Sequence, residues 1–301
     1  MRIHSQREAV VDWPHGDVRL PSIGPRIDTD QRLGTILMRQ GVLTGNQVDH
    51  VVRAQAGSGE RFGEVVVALG FADQATVEAA LAAQFRFAVA RTGATTLDPT
   101  LVVAHGGGDR ASELIRNLRT RVAGALERNG ASALIVASHT GRVGRRLIVA
   151  NLAVAFAQAG TRTLLVDADM RAPALHRLFG DDNRAGLSTL LSGRPASAFA
   201  IDEIPGLSVL PAGPPPPNPT ELLARLPDTL RIVREATRAD LVLLNTPPFE
   251  THDDVYLAGA AASHVLVVVR RDVTRSDALA KAIPRFVAAG CTVIGSVINA
   301  A

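Results

Sequence analysis

The 301-residue chain has room for about two domains, on a prior of roughly 150 residues each. Its composition, 47% hydrophobic and 4% aromatic, supplies the apolar mass for a large core. With 32 Lys and Arg against 29 Asp and Glu, the net charge of +3 is too weak and too dispersed to argue for a nucleic-acid partner, and the single cysteine, Cys291, excludes an intrachain disulfide and reads as a small core residue in a reducing cytosol.

Residues 1–27 carry Pro14, Pro21 and Pro25, scattered charges and the lone Trp13, and read as a flexible arm. They lack the apolar run of a secretion signal, and no window approaches the ~20 apolar residues of a membrane span, so a cytoplasmic location is expected, peripheral to the inner membrane only through a partner. An internal repeat follows. RLGTILMRQGVLTGNQVDHVVRAQ (32–55) and RFGEVVVALGFADQATVEAALAAQ (61–84) match at Arg32/Arg61, Gly34/Gly63, Gly41/Gly70, Gln55/Gln84 and most apolar positions. Each unit reads as two short helices, the first ending at Gly41 and the second starting at Thr44, where Gln47 completes a capping-box pattern.

This pair of units, over residues 28–90, resembles the MshEN domains, cyclic di-GMP-binding modules found at the N-terminus of some secretion and pilus ATPases. The resemblance rests on Arg-Leu-Gly, spaced apolar positions and a terminal Gln, used twice with a five-residue spacer; Phe62 departs from the expected Leu. It implies cyclic di-GMP contacts from Arg32, Leu33, Gly34, Val48, Val52 and Gln55, and in the second copy from Arg61, Phe62, Gly63, Val77, Leu81 and Gln84. Chemically, Arg stacks on and hydrogen-bonds a guanine, Gln pairs with its edge, and glycine admits close backbone approach. The competing reading is a helical domain that docks only another protein.

Residues 91–108 read as a linker with a glycine joint at Gly106–Gly108. A helix is expected from about Asp109 to Arg128, with Glu113, Arg116 and Arg119 one turn apart on one face. The spacing resembles the Glu-x-x-Arg-x-x-Arg motif of bacterial tyrosine kinases (BY-kinases) of capsule and exopolysaccharide export, where it joins neighbouring domains into a ring; a solvated face with local ion pairs is the alternative. The resemblance therefore implies a homo-oligomer.

Ala133 to Gln158 reads as strand, glycine-containing turn and amphipathic helix, the layout of a phosphate-binding loop. The Lys position holds Arg145, the Ser/Thr position holds Arg146, and Arg142 stands where a glycine would let the backbone approach, while Gly144 is kept. A guanidinium has no acceptor and cannot coordinate magnesium. Strands near 163–168, 207–211, 241–246, 264–270 and 293–299 alternate with helices, which predicts an α/β fold: a doubly wound, mostly parallel sheet preceded by a small all-α repeat domain. TLLVDADMRAP keeps Asp167 and Asp169 and resembles the second acidic motif of BY-kinases; ADLVLLNTPP resembles their Walker B strand, with Asn245 in place of Asp. GLSTLLSG, NPTELL, Asp254 and Asn299 extend the likeness over 109–299; BY-kinases usually end in a Tyr-rich segment, whereas the sole tyrosine here is Tyr256.

The resemblance implies the fold, while Arg145, Arg146 and Asn245, in place of the Walker Lys, the magnesium hydroxyl and the Walker B carboxylate, argue against phosphoryl transfer and against ATP or ADP held through magnesium. The expectation is a cyclic di-GMP-responsive regulator of exopolysaccharide synthesis or export. Its kinase-like domain, at 109–301, would carry no catalytic residues and would dock onto a membrane polysaccharide co-polymerase or an active BY-kinase homologue. The alternative is an atypical ATP-dependent autokinase, kept open by Asp167 and Asp169.

Overall fold

The computed structural model describes residues 33–58, 60–77, 80, 95–105, 109–141 and 143–299. Expectations placed on the 1–27 arm, Arg32, Leu81, Gln84, the 106–108 joint and Arg142 lie outside the described residues. Residues up to 89 and from 90 onward that are described belong to two separate compact units.

In the first unit, α1 (Leu33–Arg39), α2 (Gly45–Ser58) and α3 (Phe62–Ala68) follow the repeat. The Thr44 N–H donates to Gln47 Oε1 at 2.8 Å and the Gln47 N–H to Thr44 Oγ1 at 3.4 Å, the reciprocal cap expected. At the equivalent place in the second copy, Asp73 Oδ1 accepts from the Thr76 N–H at 2.8 Å. Leu33, Leu37, Val51, Val65, Val66 and Val77 form its core. The repeated glycines have a packing reason: a Cβ on Gly34 would come 3.3 Å from Val48 and 3.2 Å from Phe62, and one on Gly63 would come 2.7 Å from Val77. Each lets the first helix of its copy close onto the following one.

The second unit carries a seven-stranded sheet in the order β3-β4-β2-β5-β1-β6-β7. Its strands are β1 (Ala133–Ser138), β2 (Thr163–Asp167), β3 (Phe199–Ala200), β4 (Leu207–Leu210), β5 (Leu241–Asn245), β6 (His264–Arg270) and β7 (Thr292–Asn299). All pair in parallel except the two-residue edge strand β3. Successive strand residues feed opposite layers. Leu134, Val136, Leu165 and Leu243 enter one core, and Ile135, Ala137, Leu164, Val166, Val242 and Leu244 the other. Apolar side chains on both faces are what the uninterrupted hydrophobic runs require, and the expected doubly wound sheet is present.

The helices of this unit begin with α4 (Arg110–Arg128), α5 (Arg145–Gln158), α6 (Leu175–Leu178) and α7 (Leu187–Leu191); α8 (Pro219–Leu222), α9 (Leu226–Thr237), α10 (Asp254–Ala262) and α11 (Ser276–Ala288) follow. Two expectations need correction. α5 is not amphipathic: from Ile148 to Gln158 every residue is buried. Residues 95–105 are not a linker in this part, since Leu97, Leu101, Val103 and Ala104 lie in the core against α5. One cause serves both. Asn151, which looks like a solvent-facing polar residue, accepts from the Val103 N–H at 3.2 Å and donates to Thr100 O at 3.0 Å, while Gln158 donates to Val103 O at 2.9 Å. The buried amides satisfy the backbone of the irregular strap and bring its apolar side chains inward.

Candidate functional site

The site is built where β1, β2 and β5 end. Since β5 lies between the other two, Asn245 is in register with Asp167 on one side and Val136 on the other, and the turn leaving β1 carries Arg145 back over both. Gly144 precedes α5 with φ 80°, a left-handed conformation that favours glycine, and a Cβ there would collide with the Asn299 amide. Asn299 itself donates to Val143 O at 3.0 Å, tying the last strand to the loop.

Arg145 turns inward and is 4% exposed. Its guanidinium donates three ways: Nε to Asn245 Oδ1 at 3.0 Å, Nη1 to Ser138 Oγ at 2.7 Å and Nη2 to Asp169 Oδ2 at 3.1 Å. Asn245 continues the chain, donating from Nδ2 to Asp167 Oδ1 at 2.8 Å. Asp167 also accepts from the backbone N–H groups of Asp169 and Leu175, both at 3.2 Å, and Asp169 Oδ1 from the Ala172 N–H at 3.2 Å. All four carboxylate oxygens are therefore engaged within the protein. Burial lowers the Arg145 pKa to about 10 against the opposing pull of Asp169, so the group stays cationic at neutral pH. Burial also raises Asp167 to about 6, partly offset by the Asn245 hydrogen bond.

Around this closed network lie unsatisfied groups. His139 Nδ1, Thr140 Oγ1, Arg146 Nε and His176 Nδ1 are buried with no hydrogen-bond partner among the described residues. Arg146 Nη2 reaches Ala172 O at 3.4 Å. Of the expected site residues, Gly144, Arg145, Asp167, Asp169 and Asn245 thus come together, and Arg146 stands at the rim.

Sequence reasoning passed over Ser138, Arg171 and Thr220. Arg171 donates to both carboxylate oxygens of the buried Asp254, at 2.7 and 3.3 Å, and to Thr220 Oγ1 at 2.9 Å; Thr220 donates to Asp254 at 2.7 Å. Burial would raise the Asp254 pKa, but these bonds outweigh it and hold it below the ordinary value. The signal lay in the stretches already noted, since each contributes one member of the trio. Tyr256 is 8% exposed, with Phe286 4.7 Å away centroid to centroid and the Arg285 guanidinium 4.2 Å over its ring.

On α4, Glu113 is exposed and Arg116 half-buried. Arg119 is half-buried too, and donates to Ala155 O at 3.3 Å in the last turn of α5, a carbonyl that also accepts from the Ala159 N–H; the negative end of the helix dipole there favours a cation. In the first unit, Leu33 and Val77 are buried in its own core, Val48, Gln55, Phe62 and Gly63 are partly covered, and Val52 and Arg61 are exposed.

Comparison with known proteins agrees with this geometry. Residues 134–300 match the family described as the CobQ/CobB/MinD/ParA nucleotide binding domain. The chain is 32% identical over 190 residues to CapB of Staphylococcus aureus, whose name describes a tyrosine-protein kinase, spanning 62% of this chain and 83% of CapB. It is 34% identical over 193 residues to the tyrosine-protein kinase wzc of Salmonella typhimurium, but there it spans only 27% of the relative. Among solved structures, the chimerical protein CapA2B2 superposes with a TM-score of 0.60 at 32% identity, covering 74% of this chain and 98% of the other.

Proposed function

The chain belongs to the CobQ/CobB/MinD/ParA nucleotide-binding domain family, on its tyrosine-kinase-like branch, and from that premise we propose that it is a regulatory, non-catalytic member. In this reading the kinase-like domain has become an interaction module of an exopolysaccharide synthesis or export system, and residues 28–90 supply its response to cyclic di-GMP. The observation that carries the proposal is the Arg145 fork. Magnesium requires oxygen ligands, and a transferring phosphoryl group requires positioned cations. Here the hydroxyl ligand is replaced by Arg146 and the carboxylate by Asn245, and the remaining carboxylates already accept protein donors. The residues present do not fit a magnesium nucleotide. Tyr256, the sole tyrosine of the sequence, is packed in the core and poorly placed as a phosphate acceptor.

Support for the cyclic di-GMP half comes from the repeat: the matched Arg, Gly and Gln positions recur on copies with matching caps. The packing role of Gly34 and Gly63 leaves the polar contacts to Arg32, Gln55, Arg61 and Gln84. Docking to a membrane polysaccharide co-polymerase, to an active kinase homologue or to further copies of the chain would use the Glu113 and Arg116 face. A second reading, an atypical ATP-dependent autokinase, is favoured by one feature, the retention of Asp167 and Asp169 in the family's positions. Calorimetric titration with cyclic di-GMP, and with ATP and ADP with and without magnesium, separates the two. Micromolar binding of cyclic di-GMP with no magnesium-dependent ATP heat is expected; magnesium-dependent hydrolysis above background would sink the non-catalytic reading.

A further inference from the structure

A second cluster of guanidinium groups lies at the amino ends of the same central strands. Arg162 precedes β2, Asp240 precedes β5, Ala133 opens β1, and α9 ends beside them with Arg231, Arg234 and Arg238. Together they line a cleft of about 640 Å³, within the size range of small-molecule sites, floored by Ala133, Leu230 and Ala261. The strands separate it from the phosphate loop by about 17 Å, the length of a five-residue strand.

The charges do not cancel. Arg162 is paired with Asp240 at 2.6 Å, and Arg231 lies 3.4 Å from Glu235. Arg234 is held by neutral partners only, Nη1 donating to Ser132 Oγ at 2.6 Å and Nε to Ala239 O at 3.1 Å. Its guanidinium is thereby fixed in position, with the Asp240 carboxylate near it but hydrogen-bonded to Arg162. Arg238 has no side-chain partner among the described residues, and it caps α9 with φ 52°, a left-handed position where glycine is the usual occupant and a Cβ carries a steric cost. A guanidinium at a strained cap beside a second that shares a single carboxylate with Arg162, above an apolar floor, is matched by a planar or compact body bearing a phosphate. Guanidinium forks suit phosphate oxygens, and an arginine-lined concavity concentrates anions.

We propose that this cleft binds a nucleotide-sized phosphate monoester, with Arg234 and Arg238 on the phosphate and Leu230, Ala133 and Ala261 under its body. The site is independent of the phosphate loop and of the reading given to it.

The test uses the full chain, with AMP and inorganic phosphate as probes, followed by amide chemical shifts and by calorimetry at low salt. AMP should shift the Leu230, Ala239 and Ala261 amides and bind at least about tenfold more tightly than inorganic phosphate, because only AMP uses the floor. Arg238→Gly should weaken AMP about tenfold or more while leaving the melting temperature equal or higher, since it removes the charge and the backbone strain together. Arg238→Asn, which tolerates the same backbone, and Arg234→Gln should weaken AMP likewise. Shifts confined to the 138–146 loop, phosphate binding as tightly as AMP, or unchanged AMP affinity in the Arg238 and Arg234 variants would each overturn the proposal.

Discussion

Asn245 Oδ1 lies 3.0 Å from Arg145 Nε, on the side of the amide opposite the Nδ2 that bonds Asp167. An amide is suited to this position because it accepts from one neighbour and donates to the other, whereas a carboxylate could only accept. The two substitutions therefore support each other: Arg145 supplies the donor, and Asn245 passes the polarity on to an acid that would otherwise face a second acid.

If these residues are what excludes magnesium, restoring the family pattern should reverse it. The triple variant Arg145→Lys, Arg146→Thr, Asn245→Asp should bind ATP in a magnesium-dependent manner, with a gain of at least about 1.4 kcal/mol, or tenfold, over the unaltered chain. Titration calorimetry reads this directly. Equal magnesium-dependent affinity in both proteins would remove the basis for calling the site degenerate.

Removing the fork alone should be costly to the fold. Arg145→Ala strands Asp169 and leaves Asn245 and Ser138 without their donor, and breaking such a buried pair costs about 3–5 kcal/mol. Arg145→Lys keeps the charge, but its three donors radiate from a single Nζ and do not span acceptors served by three separate guanidinium nitrogens, so it should fall between. Urea denaturation orders the three proteins, and a variant as stable as the parent would mean the network contributes nothing.

Asp167 sets a pH dependence with a definite sign. Its folded pKa of about 6 exceeds the ordinary 3.8, so its contribution to stability is fully present below pH 3.8 and is lost as pH rises through 6. The loss amounts to about 3 kcal/mol, from two pKa units. The difference in unfolding free energy between the parent and Asp167→Asn, measured from pH 4 to 8, should isolate it from carboxylates that titrate the other way. A flat difference would show that Asp167 has an unperturbed acidity.

In the helical unit, packing and the proposed binding can be separated by variant. Gly63→Ala should destabilise the unit by about 1–3 kcal/mol, because the new methyl meets Val77 and the helices must part. Gln55→Ala and Arg61→Ala should leave the helical circular dichroism intact and each weaken cyclic di-GMP by about 1–3 kcal/mol. Unchanged affinity in both polar variants would reassign the unit to protein docking.

The helix stripe divides in the same way. Arg116→Glu should shift the sedimentation distribution to smaller species at little cost in stability, while Arg119→Glu should also lower the melting temperature because it gives up the Ala155 carbonyl. Identical mass distributions for parent and Arg116→Glu would leave the stripe as solvated surface.

Much of this was legible in the residues. Apolar runs placed the strands, and reading Arg145, Arg146 and Asn245 against the family pattern located the altered chemistry, because register and loop position follow from chain order. The direction of Arg145 was not legible, since an arginine at that point could equally have reached into solvent; only the neighbouring Ser138, Asn245 and Asp169 make the inward rotamer favourable. The strap at 95–105 was hidden for a related reason. Its Thr, Asp and Pro content reads as loop, and what buries it is a pair of amides some 50 residues later in a helix whose small side chains mask how completely it is enclosed. The glycines of the repeat were visible, but a glycine required by a neighbouring helix and one required by a ligand look the same in one dimension.

The enclosure of α5 also bears on timescale. Arg145 stands on the first turn of a helix packed from Ile148 onward, so its backbone is anchored by the core and not by the loop. Freeing the guanidinium from Ser138, Asn245 and Asp169 requires a side-chain rotation and the entry of water, without translation of the helix. Opening of the site should then follow how fast one side chain exchanges buried partners, a local event to be sought in side-chain relaxation at Arg145, while the amides of α5 should exchange far more slowly.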